Sequence, residues 1–245
     1  LLNKFGKTSY LKIIIINGQC LSIKFKKLLK TNFPSARFIL YRHDSNFNRP
    51  FKKIDHEIFD HISSFDYKDC IDFGFSYRPL FFANEISTNN LKPKSKNYSY
   101  DFSFIGTIHT DRYTILKRLE NSYSKSMRIF YYLYMKSKII YYLLKVLKKD
   151  FRKSKINEFK FNTIPLDYVT KIQGLSNVIV DINHPMQSGL TMRTIEVIGS
   201  GGKLATTNYH IMQEDFYDPK RIFILSRENP QIPIDFFEET PKKLE

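Results

Sequence analysis

Short apolar runs alternate with amphipathic stretches along the first third of the chain. Residues 11–16 (LKIIII) form a β-branched run closed by Asn17-Gly18, which predicts a buried strand and a turn. In residues 22–30 (SIKFKKLLK), Ile23, Leu28 and Leu29 share a helical face, and Asn32-Phe33-Pro34 ends the helix. Residues 37–41 (RFILY) read as a second strand ending at Arg42-His43-Asp44-Ser45. Residues 58–65 read as a third, and residues 67–73 as a short helix stopped by Gly74. Strands alternating with helices through short loops imply a parallel α/β sheet. Pro79 and residues 92–98 (KPKSKNY) interrupt this rhythm, so a domain boundary is expected there, with residues 1–91 before it and 92–245 after it.

The alternation then restarts. Residues 101–105 (DFSFI) predict a strand ending at Gly106-Thr107, and residues 112–119 a helix. Residues 167–173 predict another helix, 177–182 a strand, 191–198 a helix, and 203–206 and 222–225 two further strands. Between them, residues 123–160 are rich in Tyr, Leu and Lys, and suit an amphipathic helix at an anionic membrane surface. The same composition also fits ordinary core with a solvated lysine face, or a patch for nucleic acid.

Charge and cysteine content narrow the classes. The 245 residues carry a formal net charge of +15, from 39 Lys+Arg against 24 Asp+Glu. Residues 92–160 hold 17 basic and 5 acidic residues, a net of +12 that leaves +3 for the rest. Lys outnumbers Arg by 28 to 11, a bias that AT-rich coding sequence produces without selection for a basic surface. An apolar content of 42% excludes a disordered chain, and two cysteines exclude a disulfide framework and favour a reducing compartment. No run of 18 apolar residues predicts a membrane span, and the six scattered histidines show no metal-ligand spacing. The opening residue is Leu1, and residues 1–10 lack the features of a signal peptide, so an N-terminal portion is expected upstream.

Three stretches could carry chemistry. In residues 181–208 a strand ends at Asp181-Ile182, and a loop with His184, Pro185 and Gln187 leads to Gly189. A helix then places Arg193 and Glu196 three residues apart on one face. Helix N-termini at the carboxyl ends of strands hold anions, Arg can neutralise a diphosphate, and Glu can accept the hydroxyls of a ribose. An ordinary solvated Arg–Glu pair fits the same spacing. The loop Gly106-Thr107-Ile108-His109-Thr110-Asp111-Arg112 follows a strand and opens a helix. There Gly106 allows close backbone approach and His109 or Arg112 adds charge, or else Thr110 or Asp111 simply caps the helix. Asp44, with His43 second, stands at a strand end as a candidate base for an acceptor hydroxyl, a place where turn-forming Asp is also common.

The run Ser188-Gly189-Leu190-Thr191-Met192-Arg193-Thr194-Ile195-Glu196, with Gly199 to Gly202 and the strand after it, resembles the C-terminal signature of GT-B glycosyltransferases of the CgeB-like and group-1-like type. Residues 41–45 (YRHDS), 100–112 (YDFSFIGTIHTDR) and 184–196 are similar to bacterial enzymes of capsule, exopolysaccharide or lipopolysaccharide biosynthesis. Thr191 stands where Pro is common, Gln187 stands near where retaining relatives often have an acid, and their E-x7-E spacing is absent.

The resemblance implies two Rossmann-like domains with parallel sheets facing a cleft, the first domain incomplete. It implies sugar transfer from a nucleotide-diphosphate donor to a surface-polysaccharide or lipid-linked glycan acceptor, without metal or cofactor, in the cytoplasm or peripherally on the inner face of the cell membrane. Gly106, Thr107, His109, Arg112, Gln187, Ser188, Gly189, Leu190, Thr191, Arg193 and Glu196 would then bind the donor. Glu196 would take the ribose, and Arg193 with the N–H groups of residues 188–191 would face the diphosphate. Two other classes stay open: a nucleic-acid-binding α/β protein using residues 92–160, and a nucleotide-sugar-binding domain without catalysis.

Overall fold

A computed structural model describes residues 10–18, 20–82, 97–123 and 126–239. Most of the expected boundary stretch, residues 92–96, lies outside them. The chain forms two compact units, one of Leu1–Leu80 with Met186–Leu190 and one of Phe81–Pro185 with Thr191–Glu245.

The first unit is built from β1 (Lys12–Ile16), α1 (Ile23–Asn32), β2 (Arg37–Arg42), α2 (Asp55–Ile58), β3 (His61–Ser64), α3 (Tyr67–Phe73) and β4 (Ser76–Tyr77). Its four strands are parallel in the order β1-β2-β3-β4. Phe38 and Leu40 of β2 are buried with Ile15, Ile62 and Phe75, as the apolar runs predict. Ser22 accepts from the Phe25 N–H to cap α1, and Gly74, at φ 67°, closes α3 in the left-handed region that glycine enters without strain. The expected strand over residues 58–65 is shorter than predicted. Its first residue closes α2, where the Phe59 N–H bonds back to Asp55.

The second unit contains β5 (Tyr100–Thr107), α4 (Arg112–Asn121), β6 (Ile129–Tyr134), α5 (Lys138–Leu147), β7 (Phe159–Lys160), α6 (Leu166–Gly174), β8 (Ser176–Asp181), α7 (Met192–Gly199), β9 (Lys203–Thr206), β10 (Ile222–Ile224) and α8 (Ile234–Glu238). Its six strands run parallel in the order β10-β9-β8-β5-β6-β7. The chain builds outward from β5 through β6 to β7, then crosses back to β8 and builds the other way. The order therefore reverses between β5 and β8. Phe102 and Phe104 of β5 and Val178 and Val180 of β8 are fully buried in the core that α4 covers with Ile115, Leu116 and Leu119. Each such side chain contributes roughly 1.5–3 kcal/mol.

Residues 123–160 are not one amphipathic helix. Ile129–Tyr134 is a strand paired with β5 in the register Phe104↔Tyr131, and only Lys138–Leu147 is α-helical. The aromatic and β-branched run IFYYLY gains more from the sheet's edge-to-edge pairing than from a helix. Tyr131, Tyr132 and Tyr134 therefore belong to the sheet.

One polar contact inside the first unit has a measurable cost. Lys26 donates to Asp55 at 2.6 Å, with the two side chains 4% and 8% exposed. Removing one member leaves the other charge buried, which typically costs more than replacing both. Lys26→Met is expected to lower stability by about 3 kcal/mol, and Lys26→Met/Asp55→Met to recover most of it in chemical denaturation.

Candidate functional site at the strand-order reversal

Where strand order reverses in an open parallel sheet, the loops leaving the two central strands diverge to opposite faces and leave a crevice at their carboxyl ends. In the second unit those loops are residues 108–111 after β5 and 182–185 after β8, with Thr191 at the start of the helix that follows. The first sheet shows no such reversal among its described strands. Local sequence placed chemistry-bearing residues in both loops, and the topology brings them side by side.

Arg112 ties the two strand ends together. Its Nε donates to the Ile182 carbonyl at 2.6 Å and its Nη1 to the Thr107 carbonyl at 2.9 Å, and its guanidinium lies over the Phe104 ring. A Cβ on Gly106 would stand 3.0 Å from that ring and 3.6 Å from Nη1. Glycine at 106 thus makes room for the chain's own Phe104 and Arg112. Asp111 occupies the N-cap position of α4 without a capping hydrogen bond. Its two carboxylate oxygens instead accept from Arg227 Nη1, at 3.1 and 2.8 Å, while Arg227 Nη2 donates to the Asn183 carbonyl and Oδ1. Thr110, between His109 and Asp111, sits at φ 49°, which a β-branched residue adopts only under constraint. Lys148 holds its carbonyl at 2.9 Å.

His109 and His184, one from each loop, stack with ring centroids 5.8 Å apart. Burial pushes His109 down to about 4, and Arg112 and His184 push in the same direction. Burial and then Arg112 lower His184 as well. Both shifts favour the neutral ring, amid an excess of cations.

The far wall is the first turn of α7. Thr191 caps it by accepting from the Thr194 N–H. The buried Asp181 carboxylate at the end of β8 accepts from the hydroxyls of Thr191 and Thr194, both at 2.8 Å, which fixes the helix to the strand. Arg193 on this turn and Glu196 on the next are 21% and 14% exposed, so they are not a solvated surface pair. They approach only to 4.0 Å, and Arg193 Nε is buried with no hydrogen-bond partner among the described residues. Burial raises the Glu196 carboxyl above its usual range, and Arg193 only partly opposes this. Two half-buried charged groups with so weak a mutual contact retain hydrogen-bonding capacity for something else.

The segment Met186–Leu190 belongs to the first unit. The N–H groups of Ser188 and Gly189 were expected to face a diphosphate. In the structure both donate to Asp66 Oδ2 at 3.0 Å, and Ser188 Oγ donates to Oδ1 at 2.5 Å. A Cβ on Gly189 would lie 2.7 Å from the Phe65 ring and carbonyl, so close approach there is to Phe65. Gln187 Nε2 donates to the Gly189 carbonyl, and Leu190 is buried. Asp44 and His43, also in the first unit, stand at the end of β2. Asn17 donates from Nδ2 to Asp44 and accepts the His43 N–H, and Arg49 pairs with Asp44 at 3.2 Å. Burial lowers His43, against the pull of Asp44.

Among the sequence candidates, Gly106, Thr107, His109, Arg112, Thr191, Arg193 and Glu196 are therefore gathered in the second unit. Gln187, Ser188, Gly189, Leu190, His43 and Asp44 lie in the first. Asp66, Asp181, Asn183 and Arg227 were missed. No group of three or more His, Cys, Asp or Glu side chains converges among the described residues, nor is any helix there long and apolar enough to cross a membrane.

No protein-family profile and no curated protein matches the chain by sequence. Solved structures do. An α-glucosyltransferase in complex with UDP and a 13-mer DNA containing a central A:G mismatch aligns with TM-score 0.63 at 14% identity, over 97% of this chain and 71% of its own. The apo lipopolysaccharide outer core galactosyltransferase WaaB aligns with TM-score 0.46 at 12% identity, over 83% of this chain. The Gap123 glycosylation-associated complex of Streptococcus agalactiae aligns with TM-score 0.47 at 17% identity, over 91%. This chain spans 58% and 47% of the lengths of those last two. The two parallel α/β sheets are those of the GT-B glycosyltransferase fold, as the alignment to the α-glucosyltransferase shows.

Because burial holds the folded-state value of His109 below that of the unfolded chain, the unfolded chain binds more protons in the window between the two. The His109 contribution is complete above about pH 6.5 and is lost as the pH falls toward 4. His109→Asn is expected to flatten this acid limb in denaturation curves taken across that range. An unchanged limb would show that His109 is not the titrating group.

Proposed function

We propose that the protein is a glycosyltransferase that takes a sugar from a nucleotide-diphosphate donor bound at the strand-order reversal of its second unit. The observation that carries this is the Arg193–Glu196 pair. Two half-buried charged groups of opposite sign stand 4.0 Å apart on successive turns at the start of a capped helix, and Arg193 Nε has no partner among the described residues. A guanidinium with an N–H to spare suits a diphosphate, and a carboxylate one helical turn on suits the two hydroxyls of a ribose. Arg112, Arg227 and Lys148 surround the crevice with positive charge, and the helix N-terminus adds to it. Such a field stabilises a departing nucleoside diphosphate without a metal ion. That the α-glucosyltransferase of the same fold was solved with UDP supports the reading.

In this proposal the acceptor is a bacterial surface polysaccharide or a lipid-linked glycan, and the enzyme works in the cytoplasm at the inner face of the cell membrane. Asp44 removes the proton of the acceptor hydroxyl, with His43 beside it as the second candidate. The new glycosidic bond forms as the bond from the sugar to the diphosphate breaks, and the charge that the diphosphate takes with the electron pair is stabilised by Arg193 and its cationic surroundings.

Calorimetry with a panel of nucleoside diphosphates, and with pyrophosphate as a base-free and ribose-free control, separates the two roles. Glu196→Ala is expected to weaken nucleoside diphosphate binding at least about tenfold, equivalent to 1.4 kcal/mol, and to leave pyrophosphate binding unchanged. Arg193→Ala is expected to weaken both. Equal nucleotide affinity in Glu196→Ala and the parent would remove the assignment.

A further inference from the structure

Helix α5 is apolar on both sides. Its inner face, with Tyr141 buried and Ile140 and Leu144 half-buried, packs on the core of the second unit. Its outer face carries Ile139, Tyr142, Leu143, Val146 and Leu147, which are 79%, 58%, 55%, 73% and 67% exposed. These positions follow the i, i+3, i+4, i+7, i+8 spacing that places them in one stripe, about 15 Å long for ten residues. A helix that only covers a core carries polar residues on its outer side. Here that side is the more apolar one.

Lysines and one arginine bracket the stripe. Residues 136–155 contain eight basic residues and one acidic residue. Two of the basic groups are turned inward, Lys145 to the Tyr141 hydroxyl and the Ser154 carbonyl, and Lys148 to the Thr110 carbonyl. Lys136, Lys138, Lys149, Arg152, Lys153 and Lys155 are exposed and make no ion pair among the described residues. The lone acid, Asp150, accepts from Thr114. Lys136 and Lys138 flank the helix N-terminus, where positive charge opposes the helix dipole, so helix stability does not explain their position.

We infer that the outer face of α5 docks on an anionic lipid bilayer. The apolar stripe enters the boundary between headgroups and acyl chains, and the cations at either end meet anionic headgroups. A second copy of the chain would bring these cations against their own kind. A nucleic acid would use the cations and leave five large apolar side chains in water, with Tyr142 as the only exposed ring on the helix for a base to stack on. The inference extends the reading of a lipid-linked acceptor yet stands without it, because its test needs neither nucleotide nor turnover.

The test is co-sedimentation with vesicles of phosphatidylcholine alone and of phosphatidylcholine with phosphatidylglycerol at roughly 7:3 by moles. The unaltered protein is expected to bind the mixed vesicles at least about tenfold more tightly than the neutral ones. Leu143→Glu/Val146→Glu is expected to reduce binding to the mixed vesicles at least about tenfold, with an unchanged melting temperature because both side chains are exposed. Lys149→Glu/Lys153→Glu is expected to erase the preference for anionic vesicles. Equal binding to both vesicle types by the unaltered protein would overturn the inference. So would full binding by the Leu143/Val146 variant, a dimer that Val146→Glu dissociates, or duplex DNA capture without vesicle binding.

Discussion

The second unit depends on the bridge that Arg112 makes between the carboxyl ends of β5 and β8. These two strands are neighbours in the sheet, and the bridge joins Arg112 to a carbonyl 70 residues further along the chain. A guanidinium donating to a carbonyl at each strand end fixes how far the crevice can open. Most of the side chains that line it follow one strand end or the other. His109 and Asp111 follow β5, whereas His184, Asn183 and the Asp181–Thr191–Thr194 cluster follow β8. Arg227 adds a second bridge across the same gap through Asp111 and Asn183. Arg112, Asp111, Asn183, Asp181, Thr191, Thr194 and Arg227 are thus held by hydrogen bonds that the protein makes with itself, and the Arg193–Glu196 pair is the exception.

That exception separates groups serving the fold from groups able to serve a ligand. Glycines and loop amides were attractive ligand contacts on chemical grounds, yet Gly106 accommodates Phe104, Gly189 accommodates Phe65, and the amides of Ser188 and Gly189 are engaged by Asp66. A buried polar group that has found a partner inside the protein gains little from a ligand. The half-buried Arg193–Glu196 pair at 4.0 Å has not reached hydrogen-bonding distance. The same reasoning distinguishes the lysines of α5, of which two are turned inward and the rest face solvent.

Much of this was legible in the sequence because it is local. The strands near residues 177–182 and 203–206, the helix near 191–198, and the Gly74 stop each depend on residues within a turn or two. That Arg193 and Glu196 share a helix face was legible because a three-residue spacing dictates it. The extent of β6 was not legible, since residues 129–147 satisfy strand and helix patterns alike and pairing with β5 decides between them. Arg227 and Asp66 gave no signal for a different reason. Their partners lie 116 and 122 residues away, and nothing in an isolated arginine or aspartate announces such a contact. The outward apolar face of α5 was visible as composition only. Its direction needed the packing of Tyr141.

A crystal structure of the protein soaked with the nucleoside diphosphate that binds it best tests the donor site most directly. Phosphate density within about 3 Å of the Arg193 guanidinium, with the ribose hydroxyls on the Glu196 carboxylate, is the expected result. A nucleotide bound elsewhere, with Arg193 and Glu196 still facing each other at 4.0 Å, would contradict it.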